Sequence, residues 1–154
     1  MSDIDLYAGI GYALELLARS DYHRAFPASP YIAVEILPPL NRGQFRFYLA
    51  DDHVPQGMVT WAWLDGAVEE EILQTCRALH AHEWNCGPCL FINDFIAPHG
   101  NSRAVIHDLK SCGFLTERVS GIRRHRDGSL RCVKNSRVRL GQPPGSRQSS
   151  KTMR

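Results

Sequence analysis

No stretch of this 154-residue chain approaches the roughly 20 consecutive apolar residues of a membrane-spanning helix, so a helical membrane protein is not expected. A basic leader is missing too. The chain opens Met1-Ser2-Asp3-Ile4-Asp5, acidic where a secretory signal is positive, and this points to a cytosolic protein. Cysteines are few and odd in number (Cys76, Cys86, Cys89, Cys112, Cys132), which favours free thiols over a disulfide framework. Internal repeats are absent. What remains, 44% hydrophobic and 22% charged, is ordinary for a globular chain long enough to bury one core. A single domain over residues 1–139 is expected, followed by a Gly-, Pro-, Ser- and Gln-rich tail over 140–154 that reads as disordered.

Acidic residues are scarce in one region only. From Glu117 onward eleven basic side chains stand against Glu117 and Asp127, while the preceding part carries seven basic and fourteen acidic residues. A basic end of this kind suits an acidic partner. Nucleic acid is one such partner, and a non-enzymatic nucleic-acid-binding or regulatory module is the alternative function. Its arginines lack interleaved aromatics, however, so bases have no stacking platform and nucleic acid is disfavoured.

The periodicities give an element order. A helix is expected over Ile4–Arg19, with Ile10, Leu14 and Leu17 on one face, then a loop from Ser20 to Pro30. Tyr31–Leu37, Gln44–Ala50 and Gly57–Leu64 read as three strands of an antiparallel meander. Asp65 caps a helix running to about His82, and Leu90–Ala97 is a buried strand. A further helix starts at Asn101 or Ser102 and ends at Cys112-Gly113. Phe114–Ile122 and Leu130–Val138 close a hairpin around Arg126-Asp127-Gly128. The sum is α+β (α/β): a mixed sheet with helices packed on it.

Within the buried strand stands Asp94. An unpartnered buried carboxylate costs several kcal/mol, so Asp94 must be hydrogen-bonded, paired or protonated. A strand-end Asp satisfied by loop amides is the plain reading; orientation of a catalytic group from elsewhere is the other. The candidate for that group is His23, in Ser20-Asp21-Tyr22-His23-Arg24, a polar loop that argues for an accessible imidazole. Cys86-Gly87-Pro88-Cys89 invites a redox reading, but such chemistry needs a thiolate at a helix N-terminus, and here the second cysteine enters a strand. His80, His82, Cys86 and Cys89 have zinc-ligand types, yet two histidines two apart lie on different faces of a helix. No metal is expected. The element order suits an N-acetyltransferase. After Gly57–Leu64, however, comes Asp65-Gly66-Ala67, with no Arg/Gln-x-x-Gly-x-Gly to cradle a pyrophosphate. That absence argues against coenzyme A as donor.

Five blocks carry a resemblance. They are Ser20-x-x-His23-Arg24-x-Phe26-Pro27, Pro38-Pro39, Trp61-Ala62-x-Leu64, Trp84-x-x-Gly87 and Phe91-x-x-Asp94-Phe95-Ile96-Ala97-Pro98-x-Gly100. In this order and spacing, from about residue 10 to residue 138, the chain resembles the RTX toxin-activating lysine acyltransferases. The resemblance implies a cytosolic enzyme of N-acetyltransferase-like fold, a mostly antiparallel mixed sheet flanked by helices. It implies a fatty acyl group taken from acyl carrier protein, with no other cofactor, and passed to internal lysines of a pore-forming RTX protoxin. His23 and Asp94 fall on the family's catalytic positions, and Ser20 on a third functional position. The basic hairpin, through Arg123, Arg124 and Arg126, then becomes a docking surface for the acidic carrier protein. Whether the chain forms a homodimer is left open.

The chain departs from the family pattern where Cys86, Pro88 and Cys89 replace residues that elsewhere look like Ser, Asp and a basic residue, and where His99 replaces an aromatic. Because Cys86-Gly87-Pro88-Cys89 enters a strand, no catalytic redox role and no obligatory zinc is expected, and replacing both cysteines with Ser should leave folding and acyl transfer largely intact. Stoichiometric zinc in the purified protein, lost together with activity on chelation, would refute this.

Overall fold

The computed structural model describes residues 4–112, 118–124 and 130–137, with the backbone alone for 123, 124 and 130–137. The 140–154 tail, the Arg126-Asp127-Gly128 turn and the ends of several expected elements lie outside the described residues.

Helix α1, Leu6–Arg19, buries Gly9, Ala13, Leu16 and Leu17, a stripe at helical spacing, and stops at Ser20. Tyr31–Leu37 is not a strand. The chain is helical throughout α2 (Ala28–Tyr31), a π-helical turn (Ile32–Ile36) and α3 (Leu37–Asn41). A run of aromatic and β-branched residues fits either structure by propensity, and burial decides between them. Tyr31, Glu35, Ile36, Pro39 and Leu40 are the buried positions, spaced for one face of a helix rather than alternating. Pro38 and Pro39 sit in the first turn of α3, where a missing N–H costs little. Leu37 N–H donates to Ile32 O five residues back, the widened turn that marks a π-helix. The expected meander therefore shrinks to a two-stranded hairpin.

Among the described residues the sheet has five strands in the order β1 (Phe45–Leu49), β2 (Pro55–Leu64), β3 (Cys89–Ile96), β4 (Arg118–Arg124) and β5 (Leu130–Arg137). Every neighbouring pair is antiparallel except β3 and β4, which run parallel. The crossover between those two carries α5, Ser102–Ser111, as a parallel connection requires. Helices cover both faces. α1 and α3 pack on Met58 and Ile96, and α4 (Gly66–Thr75) packs on Ala62, Leu64 and Phe91 of the same face. α5 covers Val59, Leu90 and Val119 on the other face. This is the mixed, mostly antiparallel α+β arrangement that an N-acetyltransferase-like fold calls for.

The Asp65 carboxylate does cap α4, accepting Ala67 N–H at 2.9 Å. That helix ends at Thr75 and not at His82, because Cys76 takes a left-handed conformation. Arg77 then ties the bend. Its guanidinium donates to Glu71 at 2.9 and 3.0 Å, and to both oxygens of Glu83 at 2.8 Å. Leaving the helix lets Leu79 and the fully buried Trp84 reach the core. His80 and His82 stack ring on ring beyond the bend, off any helix. Trp84-x-x-Gly87 acts here in packing: a Cβ on Gly87 would stand 2.5 Å from backbone atoms of Leu64 and Asp65.

The two Arg77 bonds hold the Glu83 carboxyl down to about 2, against an ordinary value of 4.5. A depressed carboxyl contributes stability that is fully present above the unfolded-state value and lost as pH falls through the folded one. Thermal melts of the wild type should therefore lose Tm between about pH 4.5 and 2. Glu83→Gln should start lower at pH 6 and lose less over that window. Parallel Tm–pH curves for the two proteins would show that the pair does not act on stability.

Candidate active site

A β-bulge builds the site. β2 pairs Thr60 with Asp94 and Trp61 with Ile92, so Asn93 is an extra residue on β3. In a regular strand Phe91 and Asp94, three apart, would point to opposite faces. Phe91 packs under α4, and an unbulged Asp94 would face α5. The inserted residue reverses the alternation and turns Asp94 toward α1 and α2. Bulges leave ladder groups unpaired, and here a side chain compensates: Asp94 N–H donates to Oγ1 of the buried Thr60 at 3.1 Å.

His23 reaches Asp94 from the end of α1. Ser20, the C-cap of that helix, sends the chain into a 3-10 turn over His23–Ala25, and Arg24 N–H donates back to Ser20 O at 3.1 Å. The three-residue spacing brings the two side chains together. Ser20 Oγ lies 2.7 Å from His23 Nδ1 and accepts the His23 backbone N–H at 3.4 Å. On the other side of the ring, Nε2 stands 3.4 Å from Asp94 Oδ1. A carboxylate offers acceptors to the nitrogen facing it, and a ring hydrogen on Nε2 is the tautomer that suits this contact. Nδ1 of the neutral ring is then the acceptor for the Ser20 hydroxyl. The tautomer follows from this network.

The expectation of an accessible imidazole is corrected: the His23 side chain is 9% exposed. Aromatic rings enclose it. Tyr22 meets it edge-on at 4.8 Å and Tyr31 at 5.8 Å, while Phe26 stacks on Tyr31. The Tyr31 hydroxyl donates to the Asp94 carboxylate, 2.8 Å from Oδ1 and 2.7 Å from Oδ2. One helical turn on, the buried Glu35 accepts from Asn93 Nδ2 at 2.9 Å. Reading 31–37 as a strand concealed both residues, since only helical spacing puts positions 31 and 35 on one face. The structure thus brings Ser20, His23 and Asp94 into one line, with a hydrogen bond from Ser20 to His23 and a 3.4 Å polar contact from His23 to Asp94. Of the docking residues, Arg123 and Arg124 fall at the end of β4 with only their backbone described, and Arg126 lies outside the described residues.

A second buried carboxylate, Glu69 of α4, accepts the Ser120 hydroxyl and pairs with Arg118 at 3.0 Å. Burial pushes the neighbouring Cys89 thiol up, and the Glu69 charge adds to that. A raised thiol is the reverse of what a redox nucleophile needs. A cavity of about 230 Å³, lined by Ile4, Leu6, Gly9, Leu40 and Phe45 among others, lies between α1, α3 and β1 and includes none of Ser20, His23 and Asp94.

The model of the RTX toxin acyltransferase family matches residues 4–137. An uncharacterized protein of Synechocystis sp. is 32% identical over 120 residues, 77% of this chain and 81% of that protein. Lysine-acyltransferase RtxC of Vibrio cholerae is 29% identical over 106 residues, 69% of each chain. Protein-lysine palmitoyltransferase CyaC of Bordetella bronchiseptica is 32% identical over 98 residues, 64% of this chain. The aligned stretch is 52% of that last protein, so the chain spans about half its length. These matches set aside the non-enzymatic reading of the basic hairpin.

Thr60→Val keeps shape but removes the acceptor of the bulge amide. It should cost roughly 1–3 kcal/mol in denaturant melts, the penalty of an orphaned buried N–H, while Thr60→Ser stays near wild type. Equal loss in both variants would mean that packing of the Thr60 methyl, not the hydrogen bond, holds the bulge.

Proposed function

The chain belongs to the RTX toxin acyltransferase family, and from that premise we propose that it moves a fatty acyl group from acyl carrier protein to lysine side chains of an RTX protoxin in the cytoplasm. The observation that carries the reading is the Ser20–His23–Asp94 line, a hydroxyl, an imidazole and a carboxylate in sequence on one wall of the sheet.

The chemistry asks for such a line. A lysine amine with an ordinary pKa of ~10.4 is free in roughly one molecule in a thousand or fewer at neutral pH, a deficit of about 4–5 kcal/mol. A positioned base offsets it, and an imidazole with an ordinary value near ~6.5 suits the work. As the amine attacks the thioester carbonyl, the C–N bond forms, the C–S bond breaks, and a nitrogen proton must depart. Both ring nitrogens of His23 already have partners. The 2.7 Å contact at Nδ1 supports a path through Ser20, whose hydroxyl passes its proton to Nδ1 and takes one from the amine. His23 then returns the proton to the carrier thiolate. Asp94 stabilises the imidazolium and holds the tautomer. In the covalent variant of this path, Ser20 itself accepts the acyl group before lysine does.

Sequence and topology both support a protein donor. The strand–helix–strand unit with parallel strands is β3–α5–β4, so the loop that would cradle a pyrophosphate is Ala97-Pro98-His99-Gly100-Asn101. It too lacks the Gly-rich pattern, and Pro98 removes one of its backbone donors. The arginine excess beyond Glu117 suits an acidic carrier protein.

The test is acyl transfer by the purified chain to a lysine-containing protoxin fragment, read by mass spectrometry. Acyl-loaded carrier protein should serve as donor and the matching acyl-CoA should not. His23→Ala should lose roughly 100-fold or more. Charge reversal at Arg123, Arg124 and Arg126 should raise KM for the carrier with kcat preserved, and added salt should act in the same direction. Equal use of acyl-CoA, or indifference to the reversals, would overturn carrier docking on the hairpin and turn attention to acidic segments of the protoxin instead.

A further inference from the structure

The bulge that turns Asp94 inward is gripped from one helical turn. Tyr31 and Glu35, four residues apart, lie where α2 passes into the π-helical turn, and they engage successive residues of β3. Tyr31 donates to the Asp94 carboxylate at 2.8 and 2.7 Å, and Glu35 accepts from Asn93 at 2.9 Å. All of Tyr31, Glu35 and Asp94 are buried. The Tyr31 ring in turn meets the His23 imidazole at an interplanar angle of 80°. We propose that Tyr31 and Glu35 are positioning residues that lock the Asn93 bulge and the Asp94 carboxylate in the orientation that presents Oδ1 to His23 Nε2.

Three observations converge on this role. The contact that has to be kept is the longest of the line, 3.4 Å from His23 Nε2 to Asp94 Oδ1, so a small rotation of the carboxylate would break it. A carboxylate on a bulged strand has free torsions, and the Tyr31 hydroxyl, set about equally far from both oxygens, restrains them from the side opposite the backbone. Bulged strands also have neighbouring registers open to them. A slip that moved Asn93 out of the bulge would send Asp94 to the α5 face, and the Asn93–Glu35 bond opposes it. The π-turn has a clear part in this. Its extra residue fits the helix between Tyr31 and α3 so that a hydroxyl and a carboxylate address two adjacent residues of one strand, and such turns recur at functional sites.

This inference rests on the reading of Ser20, His23 and Asp94 as the reacting group, and its experiment separates the two. The full chain, labelled with ¹⁵N-histidine, is observed by NMR at a pH where the His23 ring is neutral, and the same variants are assayed for acyl transfer. The wild-type ring should show the Nε2–H tautomer. Tyr31→Phe keeps the ring that packs on Phe26 and removes the hydroxyl; it should raise the share of Nδ1–H tautomer. It should also lower kcat by roughly 10-fold or more, with KM for the carrier within about two-fold. Glu35→Ala should move both readouts in the same direction, whereas Glu35→Gln, whose amide oxygen still accepts from Asn93, should restore them. That pair decides the matter if Tyr31→Phe does not fold. Unchanged ring signals and kcat in Tyr31→Phe overturn the clamp, as does equal behaviour of Glu35→Ala and Glu35→Gln. If the wild type transfers no acyl group at all, the functional reading falls, and the ring signals of the variants still decide the clamp.

Discussion

A charged oxygen pair under a β-sheet has to be met by donors, and the geometry that meets Asp94 governs much of this molecule. Its carboxylate faces Tyr31 and His23, its amide faces Thr60, and its neighbour Asn93 faces Glu35. The partners come from three different parts of the chain. α1 must end at Ser20 for His23 to arrive. The segment after Pro27 must be helical for Tyr31 and Glu35 to share a face, and β2 must carry Thr60 opposite the bulge. Low dielectric makes these contacts strong when complete and costly when broken. The site and the fold around it are therefore one structure.

The polar network has a counterpart on the same face of the sheet. Under α4, Glu69 receives Ser120 and Arg118, and at the end of that helix Arg77 joins Glu71 and Glu83. These pairs belong to helix placement. Between the two networks lies the apolar block of Ala62, Leu64, Phe91 and Trp84. Asp94 and Glu69 thus have different work although both are buried carboxylates on one face. One faces an imidazole; the other is capped by a hydroxyl and a guanidinium, with no ring nitrogen among the partners described.

For the proposed role of His23 as a base, the enclosure of its ring matters as much as its bonds. Tyr22, Phe26 and Tyr31 screen the ring, and fixed dipoles aimed at it strengthen as water is kept away. A base held between a hydroxyl and a carboxylate needs no rearrangement when it receives a proton. Ser20, like His23, is half-buried, and it stands at the end of α1. The sheet beyond it keeps β3 and β4 paired in parallel over Leu90–Ile92 and Val119–Gly121. That pairing is the parallel step in a sheet whose other described pairs are antiparallel.

Several features follow from local sequence because local physics suffices for them. Amphipathic spacing marks α1 and α5, alternation of Phe45, Phe47 and Leu49 marks β1, a Trp-rich apolar run marks β2, and the Asp65 cap marks the start of α4. The spacing of Ser20 and His23 closes within a single turn, so their meeting is a short-range feature once α1 ends at Ser20. Asp94 is conspicuous for a similar reason, as a carboxylate in an apolar run. What lay beyond the sequence depended on long-range contact. Tyr31–Leu37 fits a strand or a helix by composition, and only burial against α1 and the sheet selected the helix. The end of α4 depended on a salt-bridge partner twelve residues past Glu71, at Glu83. The bulge at Asn93 left no local mark, since one inserted residue in an apolar strand resembles ordinary alternation until its partner strand is known. That register, set between β2 and β3, determined the face to which Asp94 points and thereby made a pair of residues 71 positions apart into neighbours.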